Sequence, residues 1–121
     1  MKFRIPAVVS ILLCGLSSVS QLDAHHGLDE YDTTLMIELK GKVVGFKLID
    51  PHSLLYVDVE NEDGSVTGWV VEGGAAHGIV AAGLTKDSLA LGPTVVVHAY
   101  QSKNKQCTPH CKANGRKFVF E

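Results

Sequence analysis

Residues 35–48 carry an apolar alternation that changes face part-way along. Leu35, Ile37 and Leu39 point one way while Glu38, Lys40 and Lys42 point the other, and the apolar phase then moves to Val44, Phe46 and Leu48 beside Gly41 and Gly45. A period of two places alternate side chains on one face of a half-buried strand. A phase change next to glycine marks a bulge, which bends the strand sharply. A long bent strand of this kind is the first element of a small barrel rather than part of a flat sheet.

The remaining elements follow in an order that fits such a barrel. Asp50-Pro51-His52 breaks the pairing, and Ser53–Glu60 is a second strand with Leu55, Val57 and Val59 inward. Asn61-Glu62-Asp63-Gly64 is a hairpin turn, and Val66–Glu72 is a third strand with Trp69 and Val71 on its apolar face. Gly73-Gly74 releases the chain into a short helix over Ala75–Ala82, capped by Gly83. Leu84–Gly92 reads as a connection, Thr94–Tyr100 as a valine-rich fourth strand and Phe118-Val119-Phe120 as the last strand. Between those two strands, residues 101–115 are polar and Asn114-Gly115 reads as a tight turn. Three strands, a helix and two strands predict an all-β domain of the OB type, a five-stranded barrel.

Ahead of the barrel, Met1-Lys2-Phe3-Arg4 is a basic start and Ile5–Val19 an apolar run, followed by small and polar residues up to Ala24. This is the three-part layout of a secretory signal, with a core too short for a comfortable membrane span. Residues 1–24 are therefore expected to be a signal peptide and 25–121 the mature domain, with 25–32 an N-terminal arm and the location periplasmic or secreted. Cleavage after Ser20, leaving Gln21 first, competes with cleavage after Ala24. Leu13 is too bulky for the position before a lipid-modified Cys14. The mature 97 residues suffice for one compact domain. Lys2 and Arg4 leave from 11 basic residues and Asp23 from 13 acidic ones, so the mature charge is −3. A mildly acidic domain is not built to neutralise phosphates, which argues against nucleic acid as a partner.

Several short motifs recur together. His25-His26, Tyr31-Asp32, Gly41-Lys42-Val43, Pro51-His52-Ser53, Trp69-Val70-Val71-Glu72, Gly83, Leu91-Gly92 and Asn114-Gly115-Arg116 span nearly the whole mature chain. In that spacing the chain resembles a family of small exported bacterial proteins catalogued as a domain of unknown function. The resemblance implies a small secreted β domain and no established activity. The chain departs from the family's pattern at Asp50 and Asn114, where asparagine and aspartate are usual, and at Pro93, where aspartate is usual. The segment Cys107-Thr108-Pro109-His110-Cys111 lies outside that pattern.

The residues able to carry chemistry are mainly histidines. With cleavage after Ala24, His25 offers a free α-amine and an imidazole that close a chelate ring on a metal, and His26 adds a second imidazole. Such nitrogen donors suit copper, zinc and nickel; a solvated tail is the plain alternative. His52 has no turn duty, unlike Asp50 and Pro51, and is the third candidate ligand. Cys107 and Cys111 can form a disulfide if the segment is a compact loop and lie about 13 Å apart, beyond bridging, if it is an extended strand; a soft metal site with His110, redox use and free thiols are the alternatives. Glu72 reads either as a carboxylate ligand or as a strand-end charge. His77 and His98 read as ordinary packing or surface residues, and Trp69 as a core anchor. No catalytic arrangement stands out, and Gly73-Gly74 is explained by a strand-to-helix turn.

The reading that results is an exported, non-enzymatic protein that binds or handles copper through His25, His26 and His52. Cys107, His110 and Cys111 form a secondary group. The alternative is a periplasmic OB-type module that takes a peptide, glycan or protein partner without metal. A thiol redox protein using Cys107 and Cys111 is a third, lacking a Cys-x-x-Cys spacing.

Overall fold

The computed structural model describes residues 27–121 apart from residue 82. The expected signal segment and the His25-His26 pair therefore lie outside the described residues. Five strands, β1 (Tyr31–Lys47), β2 (Leu54–Glu60), β3 (Val66–Glu72), β4 (Thr94–Ser102) and β5 (Cys111–Phe120), carry two short helices between β3 and β4. These helices are α1 (Ala76–Ala81) and α2 (Lys86–Ala90). The strands close in the order β1-β2-β3-β5-β4. Only the β3–β5 pairing is parallel. This is the OB-type barrel that the order of elements predicts.

β1 makes the closure possible because it pairs with β2 through its second half and with β4 through its first. The bulge falls where the glycines predict it, between Val43 and Gly45. Val44 is the extra residue. It is 60% exposed while Val43 is buried, so inward residues are odd-numbered before the bulge and even-numbered after it. The expectation that Val44 faces the core is corrected by one position; Phe46 and Leu48 do pack against the core.

The N-terminal arm is also shorter than its polarity predicts. Tyr31 already pairs with Ser102 in β4 and is only 7% exposed. Beyond it the ladder breaks until Met36, and Leu35, expected to face inward, is 63% exposed. The cause is local: the Thr34 amide donates to Asp32 Oδ1 at 3.0 Å and the Thr34 hydroxyl to the same oxygen at 2.5 Å. These bonds compete with the strand ladder and hold the Asp32 carboxyl below its ordinary range.

The core is built from the inward residues of all five strands, among them Leu39, Leu55, Val57, Trp69, Val71, Val95, Val97 and Ala113. Leu89 of α2 closes one end of it. This helix is an element that the reading of 84–92 as a plain connection misses. Its N-cap is Thr85, whose hydroxyl accepts from the Ser88 amide while the Ser88 hydroxyl accepts from the Thr85 amide. The box uses serine where glutamate or glutamine is usual, which hides it from pattern reading. α1 ends as Gly83 predicts: the Gly83 amide donates to Val80 and the Leu84 amide to Ile79, with Gly83 at φ +88°.

The largest correction concerns the C-terminal third. Asn114-Gly115 is not a turn but lies inside β5, paired with Tyr100 and Ala99. The β4–β5 register shifts between His98 and Ala99, leaving Arg116 as the bulged residue. Gly115 is required there because a Cβ would overlap the ring of Phe118. Glycine marks a close approach, not a reversal.

Candidate functional site

β3 ends at Glu72, which pairs with Leu54 of β2 on one side and Asn114 of β5 on the other. His52 stands two residues before Leu54, and Nδ1 of its ring lies 2.9 Å from Glu72 Oε1. The second carboxylate oxygen accepts the Tyr31 hydroxyl at 2.9 Å. A loop, a strand end and the start of β1 are thus joined through one carboxylate. Glu72 is mostly shielded, with its side chain 22% exposed, whereas that of His52 is 52% exposed. Burial, the hydrogen bond to Glu72 and the negative charges of Glu72 and Glu30 push the Tyr31 hydroxyl well above the ordinary tyrosine range. It stays a donor.

The contact with Glu72 occupies Nδ1 of His52 and leaves Nε2 as the nitrogen for a ligand. A carboxylate on the far ring nitrogen is the usual support of a metal-binding histidine, because it fixes ring orientation and raises donor strength. His52 is a single donor, however. Among the described residues no three His, Cys, Asp or Glu side chains are grouped to hold a metal ion.

The other predicted residues are placed apart from this cluster. Cys107 and Cys111 form a disulfide, with Cα atoms 3.9 Å apart. In this oxidised form neither sulfur is a thiolate, so the soft-metal set of Cys107, His110 and Cys111 is not assembled. Cys111 is buried beside Trp69, and Trp69 is the core anchor expected. His110 packs edge-on to Tyr56 at 5.6 Å and against Gly68. Gly68 lies four residues along β3 from Glu72, about 13 Å at roughly 3.3 Å per residue, so His110 and His52 belong to separate places. His77 Nδ1 is 3.7 Å from Asp50 Oδ1 and His98 Nε2 is 3.8 Å from Glu38 Oε2, both surface pairs.

The side-chain hydrogen bond of Asp50 runs to another element of the fold. Its Oδ1 accepts the Ala76 amide at 3.0 Å, so a turn aspartate caps a helix 26 residues away. Gly73 and Gly74 exchange backbone bonds with Ser53 at 2.7 and 2.9 Å, which fixes the α1 entry against the His52 loop. Beside this loop a cleft of about 760 Å³ opens between α1 and β5, with His52 in its wall.

A model of a family of unknown function matches residues 13–110. The chain belongs to that family, DUF6152. Neither a curated protein nor a solved structure matches the chain. The DUF6152 match covers His25, His26, Tyr31, His52 and Glu72, and it ends before β5, so Asn114 and Arg116 fall outside it. The resemblance drawn from the motifs is therefore correct for the family, while its last motif lies beyond the matched span. Tyr31, read from the sequence only as part of a motif and not as a site residue, lies within the DUF6152 match and ties the start of β1 to Glu72. Among the described residues no helix is long and apolar enough to cross a membrane.

Proposed function

We propose that this protein is exported and binds a copper ion. The amine and imidazole of His25 with the imidazoles of His26 and His52 form the donor set. The observation that carries the reading is the His52–Glu72–Tyr31 relay, which presents Nε2 of one histidine in the arrangement metal sites use. The same relay anchors the arm. His26 stands five residues before Tyr31, a tether of at most about 17 Å, which gives the terminal donors the reach that a shared site with His52 requires. Nitrogen donors without thiolate suit copper(II). Protons compete with the metal for each nitrogen, so affinity falls as the solution is acidified.

The test is made on protein exported with its own leader, its terminus fixed by intact mass. Copper titration is expected to show one equivalent bound, at least ten-fold weaker in His52→Ala and lost when His25 and His26 are deleted. A terminus at Gln21, or a His52→Ala variant that binds like the wild type, overturns the donor set. A metal-free binding module is the second reading, favoured by the cleft beside His52; it expects deletion of His25 and His26 to change nothing.

A further inference from the structure

The cleft between α1 and β5 sits at the mouth of the barrel, where small-molecule sites are commonly formed. Its floor is apolar: Leu55, Leu89, Phe118 and Phe120 line it. Phe118 and Phe120 pair with Val97 and Val95, both fully buried, so their rings face the barrel interior. They stack at 6.5 Å. About 760 Å³ lies within the range of roughly 300–1,000 Å³ typical of ligand pockets. α1 covers the opening without burying any residue of its own.

The wall is of one charge. Arg116 and Lys117 both line the cleft, and among the described residues neither has a carboxylate within ion-pair distance. Among the described residues Arg116 meets Asn114 Oδ1 at 3.4 Å and the Tyr100 ring at 5.9 Å. The nearby acids are engaged elsewhere: Asp50 caps α1, Glu72 holds His52 and Tyr31, and Glu121 pairs with Lys40. The register sets Lys117 beside His98 and Arg116 over Tyr100, on the outer face of the barrel, so two cations without carboxylate partners stand at the rim of an apolar floor, which complements one kind of occupant. We propose that this cleft binds a small amphipathic organic anion, with its aliphatic or aromatic body against Phe118 and Phe120 and its carboxylate at Arg116 and Lys117. This inference does not rest on the copper reading.

The experiment uses the same exported protein, freed of metal with a chelator, so that its outcome is separate from that of the copper titration. Decanoate and 2-naphthoate are titrated calorimetrically into the wild type and two variants. Gly78→Trp fills the cleft, since Gly78 lines it and a Cβ there meets nothing within 4 Å; replacing a helical glycine also favours the helix. Arg116→Gln with Lys117→Gln removes the charge from exposed positions. Saturable one-to-one binding of at least one probe is expected, lost in Gly78→Trp and weakened ten-fold or more in the double glutamine variant. Failure of both probes to bind the wild type, or equal binding by Gly78→Trp, overturns the site. Unchanged binding in the double glutamine variant overturns its assignment to anions.

Discussion

His52 Nδ1 lies 2.9 Å from Glu72 Oε1, and that contact joins two family motifs, Pro-His and Trp-x-x-Glu, that are twenty residues apart in the chain. The pairing of Leu54 with Glu72 places His52 beside the strand end, and the Tyr31 hydroxyl holds the carboxylate from its other oxygen. Glu72 is mostly shielded and His52 half-exposed, so in the proposed copper site the carboxylate would orient the ring and the imidazole would face the ion.

Glu72→Gln tests that division of labour. The amide keeps an oxygen for the Tyr31 hydroxyl but removes the charge facing Nδ1. Loss of an orienting partner typically costs ten- to a hundred-fold in metal affinity, so copper binding is expected to weaken by about that factor. Thermal unfolding checks that the barrel is retained. Affinity equal to that of the wild type would remove the orienting role from Glu72.

Tyr31→Phe removes a buried hydroxyl that bonds to Glu72, at an expected cost of about 1 kcal/mol in urea unfolding. The pH dependence has a definite sign. Burial first, and then Glu72, raise the folded-state value of Tyr31 above its ordinary one. Its contribution to stability is therefore complete below about pH 10, the reference tyrosine value, and is lost as the pH rises further. Unfolding free energy above that pH should fall more steeply for the wild type than for Tyr31→Phe. Parallel curves would contradict the assignment.

The fold was legible wherever side-chain period and backbone punctuation agreed. Leu55, Val57, Trp69 and Val71 read inward and are inward; Gly64 and Gly83 read as turn and cap and have positive φ. Reading failed where one local signal had two physical causes. Asn-Gly marks a hairpin by its backbone freedom, but at 114–115 the glycine serves a ring packed against it. Of the site, His52 was legible because its loop gave it no turn duty. Tyr31 was not, since its partner Glu72 is 41 residues away and only the closed barrel brings them together.

Gly115→Ala follows from that failure. A methyl group there overlaps the far end of the Phe118 ring, which must then swing into the cleft and away from Phe120, stacked at 6.5 Å. Overpacking of this kind costs about 1–3 kcal/mol, read as a lower urea midpoint. Phe118→Leu in the same chain should recover part of the loss. A neutral Gly115→Ala would mean the ring has room to move.

The two halves of the disulfide are expected to differ in cost. Cys107 is exposed in the loop before β5, whereas Cys111 is 3% exposed within the core cluster. Opening a five-residue loop removes about 2 kcal/mol on the chain-entropy estimate, and Cys107→Ser should lose that much. Cys111→Ser loses it too, and also places a hydroxyl among apolar side chains next to Trp69, adding about 1–3 kcal/mol. Urea unfolding without reductant should therefore rank wild type above Cys107→Ser and Cys107→Ser above Cys111→Ser. A reductant should bring the wild type to the Cys107→Ser midpoint and leave both variants where they were. Coincident midpoints for the two variants would show that Cys111 stabilises only through its bond and not through its place in the core.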